Sequence, residues 1–197
     1  MKMAKKFLAV ALAGVLALSV LTGCGNSVKS KDVAKALTKM GIEAEQDKDV
    51  DKAAENTLTA IEAIINSETN TNADEGDKIT LDNAVGKGGK LIAESGVMTG
   101  ADTGSKVQTA LGMMATGTPA ETANATKKVQ VALVNIENAK KDASLQAALV
   151  RDSLVPANNV VPSSDRKYVE PSKLGSAKTS DGKYILVVIV TDIVDAA

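Results

Sequence analysis

The chain has 197 residues, a formal charge of −1 at neutral pH and balanced hydropathy. It holds no histidine, no tryptophan and one cysteine, and aromatic residues make up 2% of it. Without imidazole, a Ser-His-Asp or Cys-His nucleophile and a histidine-bearing zinc site are excluded, and so few aromatic faces argue against a platform for stacking sugars or bases.

The leader reads MKMAKKFLAVALAGVLALSVLTGC. Lys2, Lys5 and Lys6 precede an uncharged run over 7–20, the length of a secretory hydrophobic region. It is shorter than the ~20 residues that cross a bilayer core. Leu21-Thr22-Gly23-Cys24 then places small residues just ahead of the thiol. This stretch resembles the lipobox of bacterial lipoproteins. The resemblance implies cleavage between Gly23 and Cys24, a diacylglycerol thioether on Cys24, and a chain held on the extracytoplasmic face of the cell membrane. Two or more acyl chains anchor stably, where one binds only marginally. An uncleaved signal anchor with an incidental cysteine is the alternative.

On that reading residues 1–23 are a signal peptide and 24–30 a lipidated tether, reaching roughly 20 Å at ~3.5 Å per residue. Residues 31–197 form one globular domain, long enough for a core of its own. Taking the three leader lysines from the 23 basic residues leaves 20 against 24 acidic, a formal charge of −4. That balance gives no electrostatic reason to expect nucleic acid or anionic lipid as a partner. No cysteine remains for a disulfide, and the core must be built from Ala, Val, Leu, Ile and Met.

From Ser30 a helical pattern places Val33, Ala34, Leu37 and Met40 on one face. Gly41 fits the C′ position of a Schellman stop, with Ile42 returning onto Leu37. Residues 42–46 suit an edge strand. A second helix follows, with Val50, Ala54, Leu58, Ile61 and Ile65 in a stripe, acids at its start and an end near Asn66. Residues 67–78 are polar and read as an exposed loop. Thr80 is placed to cap a third helix, weakened by Gly86, Gly88 and Gly89 at about 1 kcal/mol each. A fourth helix is expected over 105–116. Thr118-Pro119-Ala120-Glu121 then reads as a capping box with proline at N1.

The following run is expected to be helical, with Val129, Leu133, Ile136 and Ala143 on one face and a break near 142–144; the alternation of VQVALV at 129–134 would also suit a strand. Pro156 and Pro162 end helical character. KLGSAKT, the turn Ser180-Asp181-Gly182 and KYILVVIVTDIV together signal a β-hairpin. Its second strand is apolar on both faces, which predicts a central position covered by helices on both sides. At least one further strand is needed to stabilise it.

Several constellations touch on chemistry without carrying it. Asp47-x-Asp49-x-Asp51 opens like a calcium loop, but Lys52 stands where glycine is required and Leu58 where a bidentate glutamate is required. Asn70, Asn72, Asp74 and Asp77 offer oxygen ligands, also without the spacing. GKGGK at 86–90 lacks the spacing and the Ser or Thr of a phosphate loop. Ser164-x-x-Lys167 and Lys178-Thr179-Ser180 echo the motifs of penicillin-recognising enzymes, yet Ser164 follows Pro162 in a loop and too few residues separate the two. Met40, Met98, Met113 and Met114 fall mostly on apolar helical faces and read as packing.

PSKLGSAKTSDGKYILVVIV at the C-terminus is similar to the last hairpin of CAP-type (SCP-like) secreted domains, in which helices flank a small antiparallel sheet. The cavity histidines of that family have no counterpart here, so no site residue carries over. The expected fold is α+β: five or six helices packed on a small antiparallel sheet that includes a C-terminal β-hairpin. The expected role is that of a non-catalytic lipoprotein binding or scaffolding an envelope component, with the membrane a partner through Cys24, an envelope protein as a further partner, no nucleic acid, no metal and no cofactor. A carboxylate-dependent cell-wall hydrolase, which needs only two acids, and a degenerate CAP-like ligand-binding domain are the competing readings. A transporter's solute-binding subunit would need a longer chain for two lobes.

Overall fold

Helix α1, Ser30–Lys39, buries Val33, Ala34, Ala36 and Leu37; it opens a computed structural model that describes residues 28–85, 126–157, 162 and 164–196. Its C-terminus has the Schellman pattern. Gly41, at φ +88°, donates its N–H to Thr38 O at 3.1 Å, and Ile42 donates to Leu37 O at 3.0 Å. The chain then enters strand β1, Ala44–Gln46. Asp47 caps α2, Lys48–Ile65, by accepting from the N–H groups of Asp49 at 2.8 Å and Val50 at 3.1 Å. The acids of the calcium-like triplet thus begin a helix. The buried stripe of α2 is Val50, Ala54, Leu58, Ile61 and Ile64, so it ends one residue earlier than expected.

The loop after α2 contains a single helical turn, α3, Glu68–Thr71, none of whose residues is buried. Asn70 closes it: the amide donates to Ile65 O and Ile79 O and accepts from Ile79 N–H, all within 2.9 Å. Residues 81–85 then form turns where a helix was expected from Thr80. The Thr80 N–H is instead taken by the Asn83 side chain at 2.8 Å. The rest of that helix, the expected helix over 105–116 and the capping box at 118–121 lie outside the described residues.

Strand β2, Lys127–Asn135, replaces the expected helix. All of 131–134 is buried, which a single helical stripe cannot achieve. A central strand does so by sending alternate residues to opposite faces. A 3₁₀ turn, Glu137–Ala139, leads to Asp142, which caps α4, Ala143–Ser153, by accepting from Leu145 N–H at 2.9 Å. Four strands follow: β3 (Val155–Pro156), β4 (Arg166–Tyr168), β5 (Ser172–Lys178) and β6 (Tyr184–Asp195).

β5 and β6 pair as an antiparallel hairpin. Gly182, at φ +66°, turns the chain, and Asp181 accepts from the Thr179 hydroxyl at 2.6 Å and Lys183 N–H at 3.0 Å. The sheet runs β1-β5-β6-β2-β3, with β4 pairing the far end of β6. β1 lies parallel to β5 and the other pairings are antiparallel.

The expectation of five or six helices on a small antiparallel sheet is therefore overturned, although α+β holds in the broad sense. Among the described residues four helices pack on a six-stranded mixed sheet. One physical cause is the apolar density of β2, which imitates helical spacing. Another is the brevity of β1, β3 and β4, two or three residues each, too short to display alternation.

The helices cover both faces. Leu186 and Val188 of β6, with Val129, Val131 and Leu133 of β2, pack under α2. Ile185, Val187 and Ile189, with Ala132 and Val134, pack under α1 and α4. Burying a side chain of this size stabilises by about 1.5–3 kcal/mol. On the α2 face the contact is closest at Gly175, where a Cβ would overlap the backbone of Val50 and Asp51.

Candidate functional site

Between α1 and the start of α4 lies an open groove of about 600 Å³. The buried side of α1 is turned to the sheet, so Lys29, Asp32, Lys35, Ala36 and Lys39 form a row at helical spacing along the groove. Lys141, Ala143 and Ser144 form the opposite wall, and Val28 closes the end nearest the N-terminus. Four lysines thus line the groove against one aspartate. All four are exposed, and among the described residues none has an acidic partner within 4 Å. Asp32 accepts from the backbone N–H of Lys29 at 3.1 Å.

The N-terminal end of the groove is fixed to the sheet. β1 stops at Gln46, which would leave the rest of the β5 edge open. Asp51 takes over there: one oxygen accepts from Ser176 N–H at 3.0 Å and from the Ser30 hydroxyl at 2.6 Å. Its other oxygen accepts from the Gln46 amide at 2.6 Å. The hydroxyls of Ser30 and Ser176 meet at 2.7 Å. Two residues along β5, the Lys178 ammonium donates to Val28 O at 2.7 Å. Burial pushes the Lys178 pKa down. Gly23 and Cys24, the expected cleavage and lipidation residues, lie outside the described residues, and Val28 is four positions beyond Cys24.

A second polar group sits at the β5–β6 hairpin, beginning at Thr179 next to Lys178. Half-buried Glu62 of α2 has its carboxyl pushed up, first by burial and then by the charge of Asp181. Asp181 is held down, chiefly by the Thr179 hydroxyl and then by Lys183 N–H. The Tyr184 hydroxyl donates to Asp82 at 2.6 Å, which raises the phenol. The two carboxyl groups are pushed in opposite directions, and one Asp181 oxygen is already occupied within the turn. Neither lines the groove between α1 and α4.

The other residues singled out in the sequence are dispersed. Ser164 lies in a turn and Lys167 in β4, while Lys178 and Thr179 serve the Val28 contact and the hairpin turn, so the two echoes of penicillin-recognising motifs form no common site. Met40 is a partly buried cap residue packed against the α1–α4 core; Met98, Met113, Met114 and 86–90 lie outside the described residues. Among the described residues no three carboxylates or other metal-binding groups come together. Sequence reasoning missed the groove because its lysines are split between two segments a hundred residues apart. Lys31, Lys35 and Lys39, repeating every fourth residue, were the available signal.

No protein-family model, curated protein or solved structure matches the chain.

Proposed function

We propose that the chain is a lipid-anchored extracytoplasmic protein of the cell membrane, non-catalytic, which binds or scaffolds an envelope component. What carries the reading is the order LTGC, then three residues, then a body that begins at once: Val28 is already bonded to β5 through Lys178. No described helix is long and apolar enough to cross a membrane, so the described part would be held at the surface through Cys24. Acyl chains contribute ~0.8 kcal/mol per buried CH₂, enough for two or more to retain the body there. Growth with an alkyne-bearing fatty acid, followed by click detection, tests this. Wild-type chain should be labelled and sediment with membranes, and Cys24→Ser should be unlabelled and released. A Cys24→Ser chain that stays membrane-bound and cleaved would refute lipid anchoring.

A carboxylate-dependent hydrolase of cell-wall glycan is the second reading, since two acids suffice for that chemistry and half-buried Glu62 is an available acid. Incubating purified protein with peptidoglycan decides between them. Release of soluble sugar that stops in Glu62→Gln would favour the hydrolase, and no release by the wild-type chain would remove it.

A further inference from the structure

We propose that the lysine groove between α1 and α4 docks on the anionic phospholipid headgroups of the membrane that carries the Cys24 anchor, fixing which face of the domain meets the bilayer. The inference rests on the lipid-anchor reading above and adds to it an oriented second contact.

Place is the first argument. From Cys24 to Val28 the chain can extend by at most ~14 Å at ~3.5 Å per residue, and Val28 lines the groove. An anchored chain therefore holds Val28 and the Lys29 end of the groove within about two screening lengths of the headgroups, taking ~8 Å at physiological salt.

Charge is the second. The chain beyond the leader is acidic as a whole, yet four lysines face one aspartate here and none is neutralised among the described residues. Two lysines at the start of α1 stand where helix physics disfavours them, while Lys39 in the last turn suits the dipole. Lys29 occupies the N-cap of α1, normally a place for Ser, Thr, Asp or Asn. Lys31, outside the groove lining, adds positive charge to the positive end of the helix dipole. Lys31, Lys35 and Lys39 repel one another at i,i+4 spacing. A solvated surface would gain stability from acids at several of these positions.

Shape is the third. The basic row follows a ten-residue helix, about 15 Å long. It is a line of charge, better matched to a surface than to a single small anion. Its lining contains only small apolar residues besides Val28, so the contact is with headgroups and inserts little into the acyl region.

The test uses the full-length protein purified from its own membrane and reconstituted in vesicles of phosphatidylcholine alone or mixed with phosphatidylglycerol. A water-soluble amine-reactive label is followed residue by residue by mass spectrometry. Lys29, Lys35, Lys39 and Lys141 should be protected in the anionic vesicles, while Lys78 and Lys167 label equally in both. High salt should remove the protection. Each Lys→Gln substitution in the groove should lower the docked-to-free ratio, read at the remaining lysines, by about fivefold. Equal labelling of the groove in both vesicles would overturn the proposal. Equal protection in both would overturn it too, since the tether alone then holds the face down. Protection appearing only when native envelope proteins are restored would assign the groove to a protein. Failure to float even with neutral vesicles would instead be a failure of the anchor, and the groove proposal would fall with it.

Discussion

The two faces of the sheet are covered differently. On one, α2 lies so close that β5 must be glycine at 175 where the helix crosses it, and Val50, Ala54, Leu58, Ile61 and Ile64 fill the contact. On the other, α1 and α4 share the area, and the gap between them is lined with lysines that have no acidic partner among the described residues. One face is arranged for close packing. The other tolerates electrostatic repulsion along α1 that packing does not require.

The largest test of this contrast is Gly175→Ala. A methyl group there meets helix backbone, which cannot yield as a flexible side chain can, so the loss of stability should exceed about 3 kcal/mol. Denaturant unfolding would measure it, and a loss under about 1 kcal/mol would mean that α2 rides above β5 with room to spare. Asp51→Ala comes next. It strips the acceptor from Ser176 N–H, Ser30 and Gln46 together and should cost about 1–3 kcal/mol, with Asp51→Asn recovering part of it.

Smaller effects should have the opposite sign. Lys35→Gln relieves i,i+4 repulsion along α1 and should leave stability unchanged or raise it by up to about 0.5 kcal/mol. A clear loss would move the groove to the packing side of the comparison. Glu62→Gln should give a slight rise in Tm at neutral pH. The Glu62 carboxyl is raised in the folded state, so its contribution is fully present below the unfolded carboxylate range. It is lost as pH rises through the folded value. The benefit of glutamine should therefore vanish in acid, and an equal benefit at all pH values would exclude this cause.

How far these features could be read in advance depended on how local their causes are. The Schellman stop at Gly41 involves residues adjacent in the chain, and α1 ends there. The acids at the start of α2 and the hairpin around Gly182 are similarly local, and were legible, while the side-chain cap made by Asp47 was not named. β2 was misread because a strand buried on both faces loses its alternation, leaving Val129, Leu133 and Ile136 to imitate a helix. β1 meets β5 across more than a hundred residues, and no property of Ala44–Gln46 announces that parallel partner. The groove escaped for a related reason: net charge averages over the chain, and only folding brings Lys141 to face Lys35 and Lys39. Asn70 and Asp51 had looked like ligands, and the structure occupies both in holding backbone.

On the proposed lipid-anchored reading, Asp51 has a further consequence. Anchored proteins are confined to two dimensions and meet one another often, and an unpaired strand edge is a template on which neighbouring chains add. β5 is such an edge once β1 ends. By occupying the Ser176 N–H with a carboxylate, the protein presents a negative charge where an incoming strand would need a donor row. Removing that charge would do more than loosen one domain: it would leave the Ser176 N–H without its acceptor at the end of the β5 edge.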